Sequence, residues 1–266
     1  MTRTRLILDF LTRGRSYRYG PHRSQRADLY LPVGAGPHPV MIMIHGGSWH
    51  KRYGKVVMRG LAGDLIRQGW AVWNIEYRRL GEGGGWPATF EDVAAAIDHL
   101  WELDAPLDLD SVSVLGHSAG GHLALWAAGR PSIAVGEPGA EPAIELKRAI
   151  SQAGVCDLAG AYRMWRGGAA GALMGGSPQD VPDRYAVGDA LALAPVAMPV
   201  LLVHGLLDRT VSIELSRTYE RESSAAGAAV ELIEIDGEAG GHRAHVDPRG
   251  AAWAAVAGWL REPLRV

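Results

Sequence analysis

The run "PVMIMIHGG", Pro39 to Gly47, is almost unbroken apolar sequence until it ends in His-Gly-Gly. A strand with one wet face alternates apolar and polar residues, whereas a continuous apolar run marks a strand covered on both faces. Further strands read at "WAVWNIEY" (70–77), "SVSVLG" (111–116), "RAISQAG" (148–154), "PVLLVHG" (199–205) and "VELIEI" (230–235). "RADLYLP" (26–32) alternates and stops at a proline, which predicts an outer strand. Helix-patterned segments lie between these runs. The alternation predicts an α/β fold built on a mostly parallel sheet.

The helical segments carry their own punctuation. "KVVMRGLAGDLIRQG" (55–69) closes at Gly69, a C-terminal stop. "TFEDVAAAIDHLWEL" (89–103) opens with Thr89 as a predicted N-cap and gathers Val93, Ile97 and Leu100 on one face. "SIELSRTYERESSAAG" (212–227) has a charged outer face. "DPRGAAWAAVAGWLRE" (247–262) predicts a last helix with Asp247 as N-cap and Pro248 at its first position. A Gly- and Pro-rich stretch at about 158–195 breaks the alternation but is too apolar for a disordered linker. It predicts a short lid over the sheet edge, inserted in a single domain spanning 1–266.

Bulk properties narrow the function classes. At 47% hydrophobic and 21% charged residues, the chain has the mix of a globular domain able to bury a large core. One cysteine, Cys156, excludes an internal disulfide and a multi-thiolate zinc site, and points to a reducing compartment. A formal net charge of −2 gives no pull toward nucleic acid or an anionic membrane. "MTRTRLILDFLTRGR" has too short an apolar stretch for a signal peptide, broken by Asp9, and no run reaches the length of a membrane span. The expectation is a cytoplasmic protein acting on a small molecule, without cofactor; a homodimer stays open.

"SVSVLGHSAGGHLALWAAG" (111–129) turns from buried strand to helix around Gly116-His117-Ser118-Ala119-Gly120. A strand–turn–helix carrying Gly-x-Ser-x-Gly is a nucleophile elbow: the turn is so tight that its flanking positions must be small. It lifts the serine hydroxyl above the sheet and sets a helix N-terminus beneath it. A serine hydroxyl is a weak nucleophile at neutral pH, so it needs a base, and the base needs an orienting acid. Asp208 follows the strand 199–205, and His242 follows the strand 230–235 in a glycine-rich loop. The order serine, acid, histidine fits the elbow. Two rivals are weaker. Asp157 comes before the lid and reads as a cap or loop residue, and His245 sits close to the last helix.

Acyl transfer also needs oxyanion donors. The Ala119 N–H is one. "HGGSW", His45 to Trp49, follows a buried strand and can turn the N–H groups of Gly47 and Ser48, or alternatively that of Trp49, inward. His45 reads as a brace of that loop. Trp49, Trp86 and Trp165 fall in loops expected to ring a pocket, and with His117 they are candidate substrate contacts. The pairs His117/His122 and His242/His245 lack a carboxylate cluster, so no metal site is expected.

"HGGSW", "GHSAGG", "VHGLLDRTV" and "GGHRAHVDP", in this order, resemble the α/β-hydrolase superfamily. Within it the chain is similar to compact serine esterases with an HGGxW oxyanion turn, akin to arylformamidases, feruloyl-type carbohydrate esterases and the hormone-sensitive-lipase group. The resemblance runs from about Arg26 onward and takes in "NIEYRRL" (74–80). It implies an eight-stranded, mostly parallel sheet flanked by helices. It also implies hydrolysis of carboxylic esters through an acyl-enzyme on Ser118, with Asp208 and His242. An amidase or arylformamidase, an acyltransferase, and a non-catalytic small-molecule binder are the alternatives on the same scaffold.

Overall fold

The computed structural model describes residues 14–263. The N-terminal stretch read against a signal peptide lies mostly outside the described residues. Eight strands form one sheet in the order β1-β2-β4-β3-β5-β6-β7-β8. They are β1 (Arg15–Arg18), β2 (Arg26–Tyr30), β3 (His38–Ile44), β4 (Ala71–Ile75), β5 (Leu107–His117), β6 (Leu146–Gln152), β7 (Val200–Gly205) and β8 (Val230–Ile235). β2 pairs antiparallel with β1 and with β4, and every pair from β4 to β8 is parallel. The strand at 26–32 is therefore not outermost. β1, the short "RSYR", covers its edge, with Arg15 opposite Leu29 and Arg18 opposite Arg26. Four residues with three polar side chains give no apolar run to read.

The continuous apolar runs do feed two faces. In β3, Val40, Ile42 and Ile44 enter one core and Met41 and Met43 the other, all fully buried. β7 splits likewise, with Val200 and Leu202 on one side and Leu201 and Val203 on the other. Each such side chain contributes roughly 1.5–3 kcal/mol by leaving water, which is what holds the parallel strands between helical layers.

One face is covered by α1 (Arg59–Arg67) and α8 (Ala251–Leu260), through Leu61, Leu65, Trp253 and Val256. The other is covered by α2 (Ala88–Asp98) and α3 (Ala119–Gly129), through Phe90, Ile97, Leu123 and Trp126. Every residue of α3 is buried, as expected of a helix that is apolar all round.

Two predicted caps are displaced. α2 begins at Ala88 after Pro87; the Thr89 hydroxyl accepts from the Gly85 N–H at 2.9 Å and donates to the Arg78 carbonyl at 2.7 Å. Its capacity is spent on the preceding loop. α8 begins at Ala251 after Gly250, and Asp247 instead accepts from the Arg249 N–H at 3.0 Å, closing a turn one step earlier.

The excursion between β6 and β7 consists of three short helices, α4 (Leu158–Met164), α5 (Gly168–Met174) and α6 (Pro182–Gly188). They are packed down: Ala161, Ala170, Leu173, Met174 and Tyr185 belong to the core. Asp157 is the N-cap of α4, its carboxylate accepting from the Gly160 N–H at 2.6 Å. α7 (Glu214–Ala225) follows β7. Among the described residues no helix is long and apolar enough to cross a membrane.

Candidate active site

Ser118 stands between β5 and α3 with φ 56° and ψ −122°, a conformation costly for a residue with a Cβ. The surroundings impose it. A Cβ on Gly116 would run into the Gly120 carbonyl, so only glycine lets the chain fold back this sharply. The Ser118 N–H donates to the Gln152 carbonyl at 2.8 Å, and the Ser118 carbonyl accepts from Gly121 and His122. The backbone is thereby pinned on both sides, and the side chain points away from the sheet end.

The other two predicted residues arrive from strands further along the sheet. His242 Nε2 lies 3.0 Å from Ser118 Oγ, and His242 Nδ1 lies 2.7 Å from Asp208 Oδ2. The second Asp208 oxygen accepts from the backbone N–H groups of Thr210 at 2.8 Å and Val211 at 3.0 Å. Burial alone would raise the Asp208 pKa; His204 and His242 beside it more than reverse this and hold the carboxyl well below the usual carboxylate range. A permanently charged carboxylate therefore faces Nδ1, fixes the proton there, and leaves Nε2 free to accept from the serine hydroxyl.

His245, the rival base, is fully buried, with Nδ1 3.3 Å from the Gly241 carbonyl. Burial lowers its pKa to about 4, so it stays neutral and structural. Asp157, the rival acid, caps α4.

His117 takes a position of its own. Its Nε2–H donates to the His242 carbonyl at 2.9 Å. Burial and the neighbouring His242 push its pKa down to about 3, so the ring is a neutral donor. It ties the backbone of His242 to the residue preceding Ser118.

The glycine turn after β3 faces the elbow. Gly47 has φ 117°, open only to glycine, and Ser48 and Trp49 follow at φ 52° and 53°. This left-handed run turns consecutive peptide units over. Among the described residues the Gly47 and Ser48 N–H groups donate to no protein acceptor. The Ala119 N–H, at the first helical position, has no intrahelical acceptor either. Both turns and the serine line common cavities, which brings the three predicted donors to one place.

His45 is the brace the sequence predicts, but its partners carried no sequence signal. His45 Nε2 is 2.6 Å from Glu76 Oε1, and Nδ1 is 2.7 Å from the Gly46 carbonyl. Glu76 also pairs with Arg79 at 2.9 Å and accepts from the Lys55 N–H. Burial works against the Glu76 charge, but His45 and Arg79 outweigh it and lower its pKa. Tyr77 stacks on His45 at 4.6 Å and its hydroxyl donates to the His45 carbonyl at 2.9 Å. The "NIEYRRL" segment is thus the scaffold of the glycine turn after β3. His204 is the other omission: it sits 3.6 Å from Asp208 Oδ2, donates from Nε2 to the Val211 carbonyl, and accepts at Nδ1 from Ser216.

Two cavities meet at Ser118. The smaller, about 130 Å³, is walled by Trp49, Val155, Trp165, Ala169 and Val211. The larger, about 440 Å³, is walled by Tyr53, Val57, His117, His242, Arg243 and Val246. Trp49, Trp165 and His117 therefore lie where a substrate contact would be. Trp86 does not line either cavity; it packs edge-on against Phe90 at 5.1 Å, and its backbone N–H is tied to the Leu173 carbonyl of α5. A loop tryptophan next to a proline carried no signal that it would be turned into the core.

Known proteins resemble this chain in fold and in sequence to different extents. A truncated carbohydrate esterase from gut microbiota superposes with a TM-score of 0.80 at 22% identity, covering 93% of this chain and 95% of that one. Esterase B from Lactobacillus rhamnosis gives 0.78 at 20% identity, covering 97% and 89%. Both likenesses establish the α/β-hydrolase fold. In sequence, esterase LipQ of Mycobacterium tuberculosis is 28% identical over 226 residues, covering 79% of this chain; the chain spans only 52% of LipQ. The probable isoprenylcysteine alpha-carbonyl methylesterase ICMEL1 of Arabidopsis thaliana is 33% identical over 119 residues, 41% of this chain and 23% of its own length. The BD-FAE family model matches residues 27–222, and with that match over most of its length, on an eight-stranded α/β-hydrolase sheet, the chain belongs to the BD-FAE family.

Proposed function

We propose that this protein is a serine hydrolase that cleaves carboxylic esters of small or medium substrates, aromatic ones included, through an acyl-enzyme. The observation that carries the proposal is the continuous hydrogen-bonded chain Ser118–His242–Asp208 beside unpaired backbone N–H groups. The esterases among its relatives support the same reading.

In this reading His242 takes the Ser118 proton as Oγ bonds to the acyl carbon. The negative oxygen is held by the N–H groups of Ala119, Gly47 and Ser48; each such donor typically contributes about 3 kcal/mol to the transition state. The bond from carbon to the leaving oxygen then breaks, and that oxygen takes the proton from His242 Nε2. Water, deprotonated by His242, releases the acid and returns the proton to Ser118.

The proton geometry assigns the cavities. The leaving oxygen must lie against His242 Nε2, so the alcohol half occupies the larger cavity that His242 lines. The acyl half is left with the smaller one. At about 130 Å³ the smaller cavity favours a short acyl chain. Cys156, free and buried, accords with a cytoplasmic setting, and the protein acts without a metal or organic cofactor; these belong to the proposal.

Turnover of p-nitrophenyl acetate tests it. Wild type is expected to hydrolyse the ester, and Ser118→Ala to lose several orders of magnitude in kcat/KM. Equal rates for the two proteins would end the esterase reading.

A further inference from the structure

The larger cavity has one permanently charged side chain on its wall. Arg243, next to the base, is exposed there, and its guanidinium makes no ion pair or hydrogen bond among the described residues. The carboxylate nearest the reaction, Asp208, is already taken up by His242, Thr210 and Val211. The nearby Asp247 is engaged by Arg249, and no acidic residue lines the cavity. The same cavity is lined by Tyr53 and Val57 at 45% and 38% exposure, both large side chains left open to solvent. An unpaired guanidinium and exposed aromatic and aliphatic side chains lining one cavity, where an alcohol must leave, form a recognition pattern. The fork of N–H donors suits a carboxylate or other oxyanion, and Tyr53 and Val57 suit a flat apolar body.

We propose that Arg243 makes this enzyme select esters whose alcohol half is an apolar, preferably aromatic, group carrying an anion. The inference rests on the esterase reading above and names its substrate class. The hydrolysis itself is unchanged: the acyl–oxygen bond breaks, water supplies the new acyl–oxygen bond, and the products are a short-chain acid and an anionic alcohol or phenol. Arg243 takes no proton in the reaction. It holds the departing half with its ester oxygen toward His242, so it is a specificity residue.

A matched pair of esters tests this. 3-Acetoxybenzoate and its methyl ester carry the same acyl group and nearly the same leaving phenol, and differ in one negative charge. The quantity to read is the ratio of kcat/KM, anionic over neutral, in wild type, Arg243→Ala and Arg243→Glu. A ratio above one in wild type is expected. It should fall about fivefold in the alanine variant, as for a solvent-accessible charge pair, and below one in the glutamate variant. Raising the ionic strength should narrow the wild-type ratio, because exposed charges are screened. A ratio that neither substitution moves would overturn the inference and leave the esterase reading intact. Wild type that turns over neither ester, with no excess over Ser118→Ala, would overturn both.

Discussion

The His117 ring donates from Nε2 to the backbone carbonyl of His242 at 2.9 Å, across 125 positions of sequence. The residue before the nucleophile thus holds the main chain of the base. This bond sets the height of the imidazole over Ser118, so it should matter to rate more than to binding. His117→Ala is predicted to lower kcat about 10- to 100-fold with a smaller change in KM, since misplacing a reacting group by about 1 Å costs about that much. His117→Gln, which keeps a donor, should recover part of the loss. Steady-state kinetics on one short-chain ester reads both effects; equal kcat and KM changes in the alanine variant would contradict the positioning role.

The same residue makes a prediction about acid. His117 is neutral in the folded protein, with its pKa near 3, whereas the unfolded chain takes up a proton near the ordinary histidine value of about 6.5. The folded pKa is depressed, so below about 6.5 the unfolded state binds more protons. Stability is fully present above that value and falls as pH drops toward 3, by about 1.4 kcal/mol per pH unit for this group. Denaturant midpoints measured from pH 7 to pH 4 should decline less steeply in His117→Gln than in wild type. Parallel slopes would show that the ring is not buried neutral.

Trp165 walls the smaller cavity and is only partly buried, so removing it should widen the acyl site at modest cost to the fold. Trp165→Ala is predicted to shift the preferred p-nitrophenyl ester from acetate or butyrate toward hexanoate or octanoate by about tenfold in relative kcat/KM. An unchanged chain-length profile would mean that the acyl chain lies elsewhere.

Glu76 braces the oxyanion turn through His45. Glu76→Gln leaves the volume but weakens a charged hydrogen bond. It should lower kcat about tenfold, with no change in which esters are preferred. Ser118–His242 geometry would be untouched, so labelling of Ser118 should still occur, only more slowly. Loss of labelling altogether would mean that Glu76 supports more than the turn.

The parts of the site that the sequence reveals are those where chemistry demands a local pattern. Gly116 to Gly120 is legible because a tight strand-to-helix turn excludes a Cβ. Asp208 and His242 are legible because each follows an apolar strand in the required order. His204 and Glu76 are not, since their roles depend on partners brought near only by the sheet. Thr89 and Asp247 look like caps, yet their side chains close turns just before the helices. β1 escapes notice because four mostly polar residues carry no apolar run, only Tyr17 packing against Trp73, and Trp86 because nothing local distinguishes a pocket tryptophan from one folded inward.

The central claim is that Ser118 is a nucleophile activated by His242. Its most direct measurement is intact-protein and peptide mass spectrometry after exposure to a fluorophosphonate. The account predicts one adduct per chain, on the peptide containing Ser118, formed at least a hundredfold more slowly in His242→Ala and absent in Ser118→Ala. An adduct on another residue, or an equal rate without His242, would contradict it.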